Sequence, residues 1–571
     1  MSLRRRLWAI AVGALALRLI LLVARGDYVV YDEGYYLLLA RSLRAGHGFA
    51  LNGLPHVALS PLQPVLVALA SAAGVPDLWA SRLLAALCGA LLVFPVASLA
   101  RLAGGERAAL PAAALTAVSP ALMTFVPFFP GESWTLYFGS EPLFLLLAFG
   151  AVACAVRAER GSWLWWPASG ALAALAYLTR LEGAVLAGTL LLALAVRAAW
   201  RRGGRAALGR LALAAATGSM VAAPYLLYLH RALGRWALSG RVQAAAGAAP
   251  AEPQAELARA RAGGDVLTAF TWQGEGEAFY RALYGLDATG SRMLSQYWGV
   301  RRDGSPGAPV LAPRPAVPPP DTARAALAKR GPLRIWWDGV TAVVPWWLAA
   351  IALAGLAAGS TSALPWLLPL ALCALLPSLL AYVEPRSLLP LAPLAAIYAA
   401  VALTKLQERL TDRMPRLGLQ ALPVLVGVAL VWPAARDGAR AYWALVTSRP
   451  TPLQEVASAR RAVGAYLAEH LPPDAVVMSW HPAVAIWAER PWRVLPYDSF
   501  QRIMAYARHE DAAAVVFSRF EPSPIAGPPR AFTVVLPGAD TATASGGRVE
   551  LQPVDETPLL FVGRMAATAA R

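Results

Sequence analysis

The sequence predicts a polytopic α-helical membrane protein that ends in a small α/β domain. Hydrophobic residues make up 58% of its 571 residues, charged residues make up only 15%, and the mean hydropathy is +0.50. Soluble globular proteins carry about 25% charged residues. Apolar runs of membrane-spanning length recur up to residue 436 and then give way to short apolar strands between helices. This composition excludes a disordered, collagen-like, coiled-coil or disulfide-rich chain.

Eleven apolar runs approach the roughly 20 residues that a spanning helix needs. They lie at 7–24, 79–100, 108–126, 141–156, 163–179, 181–200, 211–229, 340–358, 363–383, 387–404 and 418–435. The first run follows three arginines and lacks a small-residue cleavage site, which predicts a retained anchor. The run 61–75 is short and contains two prolines, so we predict an interfacial or re-entrant helix there.

The basic residues predict the orientation of these spans. With a cytoplasmic N-terminus and no crossing at 61–75, most arginines fall in inside loops, as the positive-inside rule requires. Much of the basic excess behind the formal net charge of +17 is therefore topological, and we expect no nucleic-acid binding. The outer face then holds a first loop at 25–78, a second at 230–338 and the tail. The predicted domains are a membrane domain at 1–436 and an extracytoplasmic α/β domain at 437–571.

The tail has the pattern of an α/β domain. Residues 453–470 predict an amphipathic helix and 499–509 a second helix, while 475–480, 492–496 and 512–518 predict apolar strands. No glycine-rich phosphate loop indicates a nucleotide site. Ser479 and His481 suggest a hydrolase, but no nucleophile-elbow glycines flank the serine.

Seven ionisable residues lie at one predicted membrane face, where such residues are candidates for function. They are Asp32, Glu33, Glu141, Arg180, Glu182, Glu384 and Arg386. We expect them to line one outward cavity. Arginine binds phosphate in a bidentate manner, and a carboxylate can take a proton from an attacking hydroxyl. At a membrane surface, the phosphate would be that of a lipid.

Structural interpretations of the same residues stay open. Asp32 and Glu33 could be ordinary solvated loop charges. Arg180 with Glu182, and Glu384 with Arg386, could be ion pairs that hold helix turns.

Four short motifs occur in an order that points to a family. The pair Asp32-Glu33 is followed by Tyr36 and a glycine-rich, proline-containing segment. Ser-Glu-Pro follows at 140–142, Thr-Arg-Leu-Glu-Gly at 179–183 and Glu-Pro-Arg-Ser-Leu-Leu-Pro at 384–390. The chain thereby resembles the GT-C glycosyltransferases that use polyprenyl-phosphate sugars, in particular the protein O-mannosyltransferases and lipid A aminoarabinose transferases. Leu181 replaces the usual proline of the family, and Ser387 its usual tyrosine.

The resemblance implies a GT-C fold and an inverting glycosyltransferase of a bacterial inner membrane. The enzyme would move a hexose or pentose from a polyprenyl-phosphate donor to a hydroxyl of a protein, glycan or lipid on the outer face. Asp32 would be the base, and Glu33 would orient the acceptor or the base. The donor and acceptor would be bound by Glu141, Arg180, Glu182, Arg386, Tyr36 and His56, among which Arg386 is the first choice for the donor phosphate.

Two expectations follow from departures within the resemblance. Aminoarabinose transferases carry a lysine where this chain has 58–61, which contains none, so aminoarabinose is not the expected sugar. His56 is the nearest ionisable substitute, although a plain loop histidine also fits. Relatives differ in their need for a divalent cation; the chain shows no metal-ligand spacing, and the cofactor is left open.

A transporter or flippase of a lipid-linked sugar is the alternative from another class. Transporters place ionisable residues at the bilayer midplane, often within inverted repeats. Here the candidate residues lie at one predicted face. Arg18, inside the first run, and Arg82, near the outer end of the second, are exceptions, and neither supplies a pathway across the midplane. The pattern therefore favours the enzyme.

The orientation can be tested by labelling single cysteines in intact and permeabilised membranes. If 61–75 does not cross, a cysteine at Asn52 and another at Arg107 should be labelled from opposite sides. Labelling of both positions from outside would contradict the predicted topology.

Overall fold

A computed structural model describes residues 2–25, 29, 32–125, 135–136, 139–200, 204–240, 332–380, 385–413, 436, 443, 452–495, 506–507, 510–518, 532–536, 549–553 and 560–565. The chain divides into two compact units. Unit 1 contains 1–26, 60–228 and 331–449, and unit 2 contains 27–59, 229–330 and 450–571. These units are not the consecutive segments predicted from the sequence, because part of the first loop belongs with the tail.

Unit 1 is built from α-helices. In chain order they are α1 (Leu3–Arg25), α3 (Leu62–Ala72), α4 (Asp77–Leu91), α5 (Val93–Gly104), α6 (Ala109–Val118), α7 (Glu141–Arg160), α8 (Trp165–Thr179), α9 (Glu182–Trp200), α10 (Gly204–Leu233), α11 (Pro332–Val343), α12 (Trp346–Ala358), α13 (Leu364–Leu380) and α14 (Leu391–Arg413); α2 belongs to unit 2. β3 (Thr124–Phe125) pairs antiparallel with β4 (Thr135–Leu136).

The described residues include five helices that are long and apolar enough to cross a membrane. They are Leu3–Val23, Asp77–Gly104, Glu141–Glu159, Glu182–Trp200 and Ala207–Leu233, and each coincides with a predicted span. A sixth is possible if α11 and α12 together form one span. The structure is therefore that of a polytopic membrane protein, and the count of eleven stays a prediction. The predicted span 418–435 lies outside the described residues.

Prolines account for the largest departures from the predicted spans. The run 108–126 is not one helix: α6 ends at Val118, and Ser119 has an extended backbone because it precedes Pro120. The run 340–358 is broken at Pro345, where α11 and α12 meet at an angle of 84°. Hydropathy averaged over a window does not register either break.

The run 61–75 forms the short helix α3. Its eleven residues extend about 16 Å, against about 30 Å of bilayer hydrocarbon. This length agrees with the prediction that the segment does not cross the membrane.

Small residues allow the closest helix contacts in unit 1. A Cβ atom at Gly355 of α12 would meet the backbone carbonyl oxygen of Tyr398 on α14, and one at Gly170 of α8 would meet that of Ala214 on α10. Helices pack this closely in membranes where glycine or alanine lies at the contact.

Unit 2 contains a helix from the first loop and a mixed sheet from the tail. The first loop supplies α2 (Asp32–Arg44) and a hairpin of β1 (Ala50–Leu51) and β2 (Leu54–Pro55). The tail supplies α15 (Pro452–His470), β5 (Val476–Ser479), α16 (Ala483–Ala488), β6 (Trp492–Val494), β7 (Ala512–Ser518), β8 (Phe532–Leu536), β9 (Val549–Pro553) and β10 (Leu560–Met565). The sheet order is β6-β5-β7-β8-β10-β9.

Pairing in this sheet is parallel for β5 with β6, β5 with β7 and β8 with β10, and antiparallel for β7 with β8 and β9 with β10. The predicted helix 453–470 and the strands at 475–480, 492–496 and 512–518 all have counterparts. The predicted helix 499–509 lies almost wholly outside the described residues.

The contact at Gly355 predicts a measurable loss of stability. In Gly355→Ala, the new methyl group collides with backbone that cannot swing aside, so we expect a loss of about 1–3 kcal/mol, typical of overpacking. Gly188→Ala on α9 is the matched control, because nothing lies within 4 Å of that position. Thermal unfolding of the purified full chain in detergent measures both. Equal stability of the two variants would contradict the close α12–α14 contact.

Candidate active site

A partly buried group of charged and polar side chains in unit 1 joins three of the sequence motifs. We call it the Arg180 cluster, and it consists of Glu141, Arg180, Glu182, Arg386 and Ser387. Of the seven residues expected in one cavity, the structure thus brings four together in this unit. Glu384 lies outside the described residues. Asp32 and Glu33 belong to unit 2, so the single cavity stays a prediction.

Helix ends position the three central charges of the cluster. Glu141 is the first residue of α7, Glu182 is the first residue of α9, and Arg180 caps the C-terminal end of α8. A helix carries partial positive charge at its N-terminus and partial negative charge at its C-terminus. Each side chain therefore sits at the helix end that favours its charge.

The close approach of α8 and α9 explains why the motif at 179–183 ends in glycine, Gly183. The turn between α8 and α9 is closed by a hydrogen bond of 2.9 Å from the Gly183 amide to the Arg180 carbonyl. A Cβ atom at Gly183 would meet the backbone of Ala176 and Tyr177. Only glycine lets α9 begin this close to the end of α8, which keeps Arg180 and Glu182 side by side.

Arg180 binds two carboxylates at once. Its Nη1 lies 2.5 Å from Glu141 Oε1 and its Nη2 lies 2.8 Å from Glu182 Oε1. The exposed fractions of the three side chains are only 12%, 4% and 12%. Burial alone would lower the pKa of Arg180, but the carboxylates of Glu182 and Glu141 raise it well above its ordinary value. The guanidinium therefore stays charged and is held rigidly.

The motif at 384–390 completes the cluster. Residues Pro385–Leu388 form a turn of 3-10 helix, from which the Ser387 hydroxyl donates a hydrogen bond of 3.2 Å to Glu182 Oε1. The partly exposed Arg386 acts electrostatically on both Arg180 and Glu182. Ser387 thus connects this motif to the motif at 179–183.

The Asp32-Glu33 pair opens α2 in unit 2, and its two carboxylates have different surroundings. Asp32 is partly exposed, whereas Glu33 is fully buried. Consecutive residues of a helix point about 100° apart. The N-terminal end of the helix also favours the ionised form of a carboxylate.

Tyr36 and His56 are both buried in unit 2. Tyr36 packs with Leu39 in the core between the first loop and the tail. His56 accepts a hydrogen bond of 3.0 Å at Nε2 from the Leu59 amide and meets the Phe49 ring edge-on. These contacts are those of a histidine that shapes its loop. A role for either residue in binding stays a prediction.

Arg18 lies inside α1, where a charge needs partners. Its Nη1 donates to the carbonyl oxygens of Ala14 at 3.1 Å and Ala117 at 3.3 Å. Ala117 belongs to the last turn of α6, whose carbonyls lack helical partners. Arg18 therefore supplies a hydrogen-bond donor to a carbonyl at the C-terminal end of α6, which stops early at Val118. Arg82, in α4, is also buried.

The described residues offer no group of three or more metal-binding side chains. Both carboxylates of the Arg180 cluster are already paired with a guanidinium. Glu141 and Glu182 therefore do not fit the ligand set of a divalent cation.

Comparisons with known proteins agree with this class of fold. Residues 59–228 match the family described as dolichyl-phosphate-mannose-protein mannosyltransferase. No curated protein matches the sequence significantly.

Solved structures resemble the chain over most of its length. The oligosaccharyltransferase AglB of Archaeoglobus fulgidus, in complex with an inhibitory peptide and a dolichol-phosphate, has a TM-score of 0.52 and 14% identity, covering 90% of this chain and 70% of its own. The apo form of the Archaeoglobus fulgidus enzyme has a TM-score of 0.51 and 15% identity, and the match covers 90% of this chain and 69% of that one. ArnT from Cupriavidus metallidurans bound to undecaprenyl phosphate has a TM-score of 0.47 and 16% identity, and the match covers 90% of this chain and 94% of that one. The resemblance to GT-C glycosyltransferases predicted from the sequence is confirmed.

The Arg180 cluster should contribute strongly to stability. Arg180→Ala leaves the buried Glu141 and the largely buried Glu182 without their shared cation, and we expect a loss of about 3–5 kcal/mol. Arg101→Ala is the control, because Arg101 also pairs with a glutamate, Glu106, but at the surface. Such exposed pairs contribute about 0–1 kcal/mol. Unfolding of the full chain in detergent measures the difference, and similar losses would show that the cluster is not buried as described.

Proposed function

We propose that this protein is a glycosyltransferase that moves a sugar from a polyprenyl-phosphate donor to a hydroxyl of an acceptor. The observation that carries the proposal is the Arg180 cluster, in which three motifs typical of GT-C enzymes meet. The cluster lies in a fold shared with an oligosaccharyltransferase that has been solved with a dolichol-phosphate. Transfer with inversion, at the outer face of a bacterial inner membrane, is part of the proposal.

In the proposed reaction, Asp32 accepts the proton of the attacking hydroxyl. The acceptor oxygen forms a bond to the anomeric carbon from the side opposite the phosphate. The bond from that carbon to the phosphate oxygen breaks, and the electron pair leaves with the polyprenyl phosphate. One bond forms and one breaks on opposite faces of the sugar, so the configuration inverts.

Exposure separates the roles of the two adjacent carboxylates. An acceptor that arrives from solvent can reach the partly exposed Asp32 but not the fully buried Glu33. We therefore assign the base to Asp32, and to Glu33 the task of orienting that base.

Arg386 is the proposed ligand of the donor phosphate. Arg386 is partly exposed at the edge of the cluster whose centre is the ion pairing of Arg180 with two carboxylates. A guanidinium matches the geometry of phosphate oxygens and would offset the charge that develops on the leaving group. Glu141, Arg180 and Glu182 then form the wall that holds this region in place.

The donor sugar is a hexose or a pentose, and the acceptor is a protein, a glycan or a lipid. The proposed contribution of Tyr36 and His56 to donor or acceptor binding acts through the shape of the first loop, because both side chains are buried. Membrane lipids surround the helices, and nucleic acid is not a partner.

Two variants separate the chemical step from donor binding. Asp32→Asn keeps the shape but removes the proton acceptor, so transfer should fall by about 10²–10⁴-fold while donor binding is retained. Arg386→Ala should weaken donor binding as well as the rate. The measurements are sugar transfer from a synthetic polyprenyl-phosphate sugar and equilibrium binding of the same donor.

Asp77→Asn is the matched control for the first variant. Asp77 also opens a helix, α4, so the substitution makes the same chemical change at a site without a catalytic role. Near-normal turnover by Asp32→Asn would remove Asp32 from the mechanism. Unchanged donor binding by Arg386→Ala would remove Arg386 from the phosphate site.

A further inference from the structure

The tail packs directly against the helix that carries Asp32. The ring of Tyr35 on α2 meets that of Trp492 on β6 edge-on, with centroids 5.7 Å apart. Arg41 Nη2 donates a hydrogen bond of 3.4 Å to the carbonyl of Ile486 on α16. One hydrophobic core of unit 2 contains residues of α2 together with residues of α15, β5, β6, β7 and α16.

The closest contact lies two residues from Asp32. A Cβ atom built on Gly34 would lie 2.6 Å from Cγ of Pro482, the residue that precedes α16. Cγ is part of the closed proline ring, whose puckering moves it much less than a rotamer change moves the end of an open side chain. The glycine at this position therefore lets the start of α2 rest on the tail.

The turn that presents Pro482 is fixed by its own hydrogen bonds. The Ser479 hydroxyl donates to the His481 carbonyl at 2.9 Å, and the Ala483 amide donates to His481 Nδ1 at 3.1 Å. Trp492 Nε1 donates to the Ser479 carbonyl at 3.1 Å. The serine and histidine that suggest a hydrolase thus build the rigid turn against which α2 packs.

A second connection holds the loop beyond α2. Arg493 Nη1 donates a hydrogen bond of 2.7 Å to Asn52 Oδ1 in the turn between β1 and β2. The same guanidinium is anchored from the other side by Glu510, at 2.7 Å. The tail therefore contacts the first loop at both ends of the segment 34–52, at Gly34 and at Asn52.

We propose that the tail positions the Asp32 carboxylate for proton transfer, with Pro482 and Trp492 as positioning residues. This role rests on the proposed function. Asp32 is the first residue of α2, so its orientation follows that of the helix. A displacement of about 1 Å in a reacting group can cost about 10²-fold in rate.

A compensating pair of substitutions tests the contact. Gly34→Ala should lower transfer by about 10²-fold with donor binding unchanged, because the new methyl group pushes α2 away from Pro482. Pro482→Ala removes the offending Cγ and leaves Cβ at 3.5 Å, an ordinary contact distance. The double variant Gly34→Ala/Pro482→Ala should therefore recover most of the lost rate. Gly13→Ala, at a position with nothing within 4 Å, is the control and should transfer normally.

Hydrogen exchange of the α2 amides in the full chain gives a readout that does not depend on activity. Exchange should be faster in Gly34→Ala and return toward the wild-type rate in the double variant. An unfolded variant would lose protection throughout unit 2, and the double variant would then not recover.

Three outcomes would overturn the proposal in different ways. Unchanged exchange in Gly34→Ala would show that the tail does not hold α2. Faster exchange with unchanged transfer would show that the contact exists but does not position the base. If the wild-type chain transfers no sugar from any donor, the proposed function fails and the positioning role with it, while the exchange measurement still decides whether the tail holds α2.

Discussion

Arg180 carries a positive charge that the buried Glu141 and the largely buried Glu182 share, and the arrangement of α7, α8 and α9 depends on it. In a low-dielectric interior, an ionised Glu141 or Glu182 without this partner would destabilise the folded protein. The N-terminal ends of α7 and α9 each carry a glutamate, and the C-terminal end of α8 carries Arg180, so each side chain has the charge that its helix dipole favours. Gly183 permits the close approach, and Ser387 attaches the late motif to the same carboxylate.

Much of this architecture is accessible from the sequence, because hydropathy and strand patterning are local properties. The long apolar helices and the first strands of the tail lie where the patterns predict them. The departures occur where a single residue decides, as at Pro120 and Pro345, whose rings keep the preceding residue out of a helix. A hydropathy average over about 20 residues does not register the effect of a single proline.

The site is less predictable, since it depends on contacts between distant segments. The sequence indicates the motif residues but not that Glu141 pairs with Arg180, 39 positions away. It places Glu33 beside Asp32, but the burial of Glu33 follows from packing in unit 2. The Gly34–Pro482 contact leaves a weak signal only, a glycine within the first turn of a helix, where it is otherwise unfavourable.

The most direct test of the central claim is the fate of a polyprenyl-phosphate sugar labelled in its sugar ring, added to proteoliposomes that contain the full chain and a panel of acceptors. The account predicts that free polyprenyl phosphate and a glycosylated acceptor form together, and that the new glycosidic bond has the opposite anomeric configuration to the donor. Movement of the intact donor across the bilayer, with no cleavage of its sugar–phosphate bond, would contradict the account and indicate a transporter.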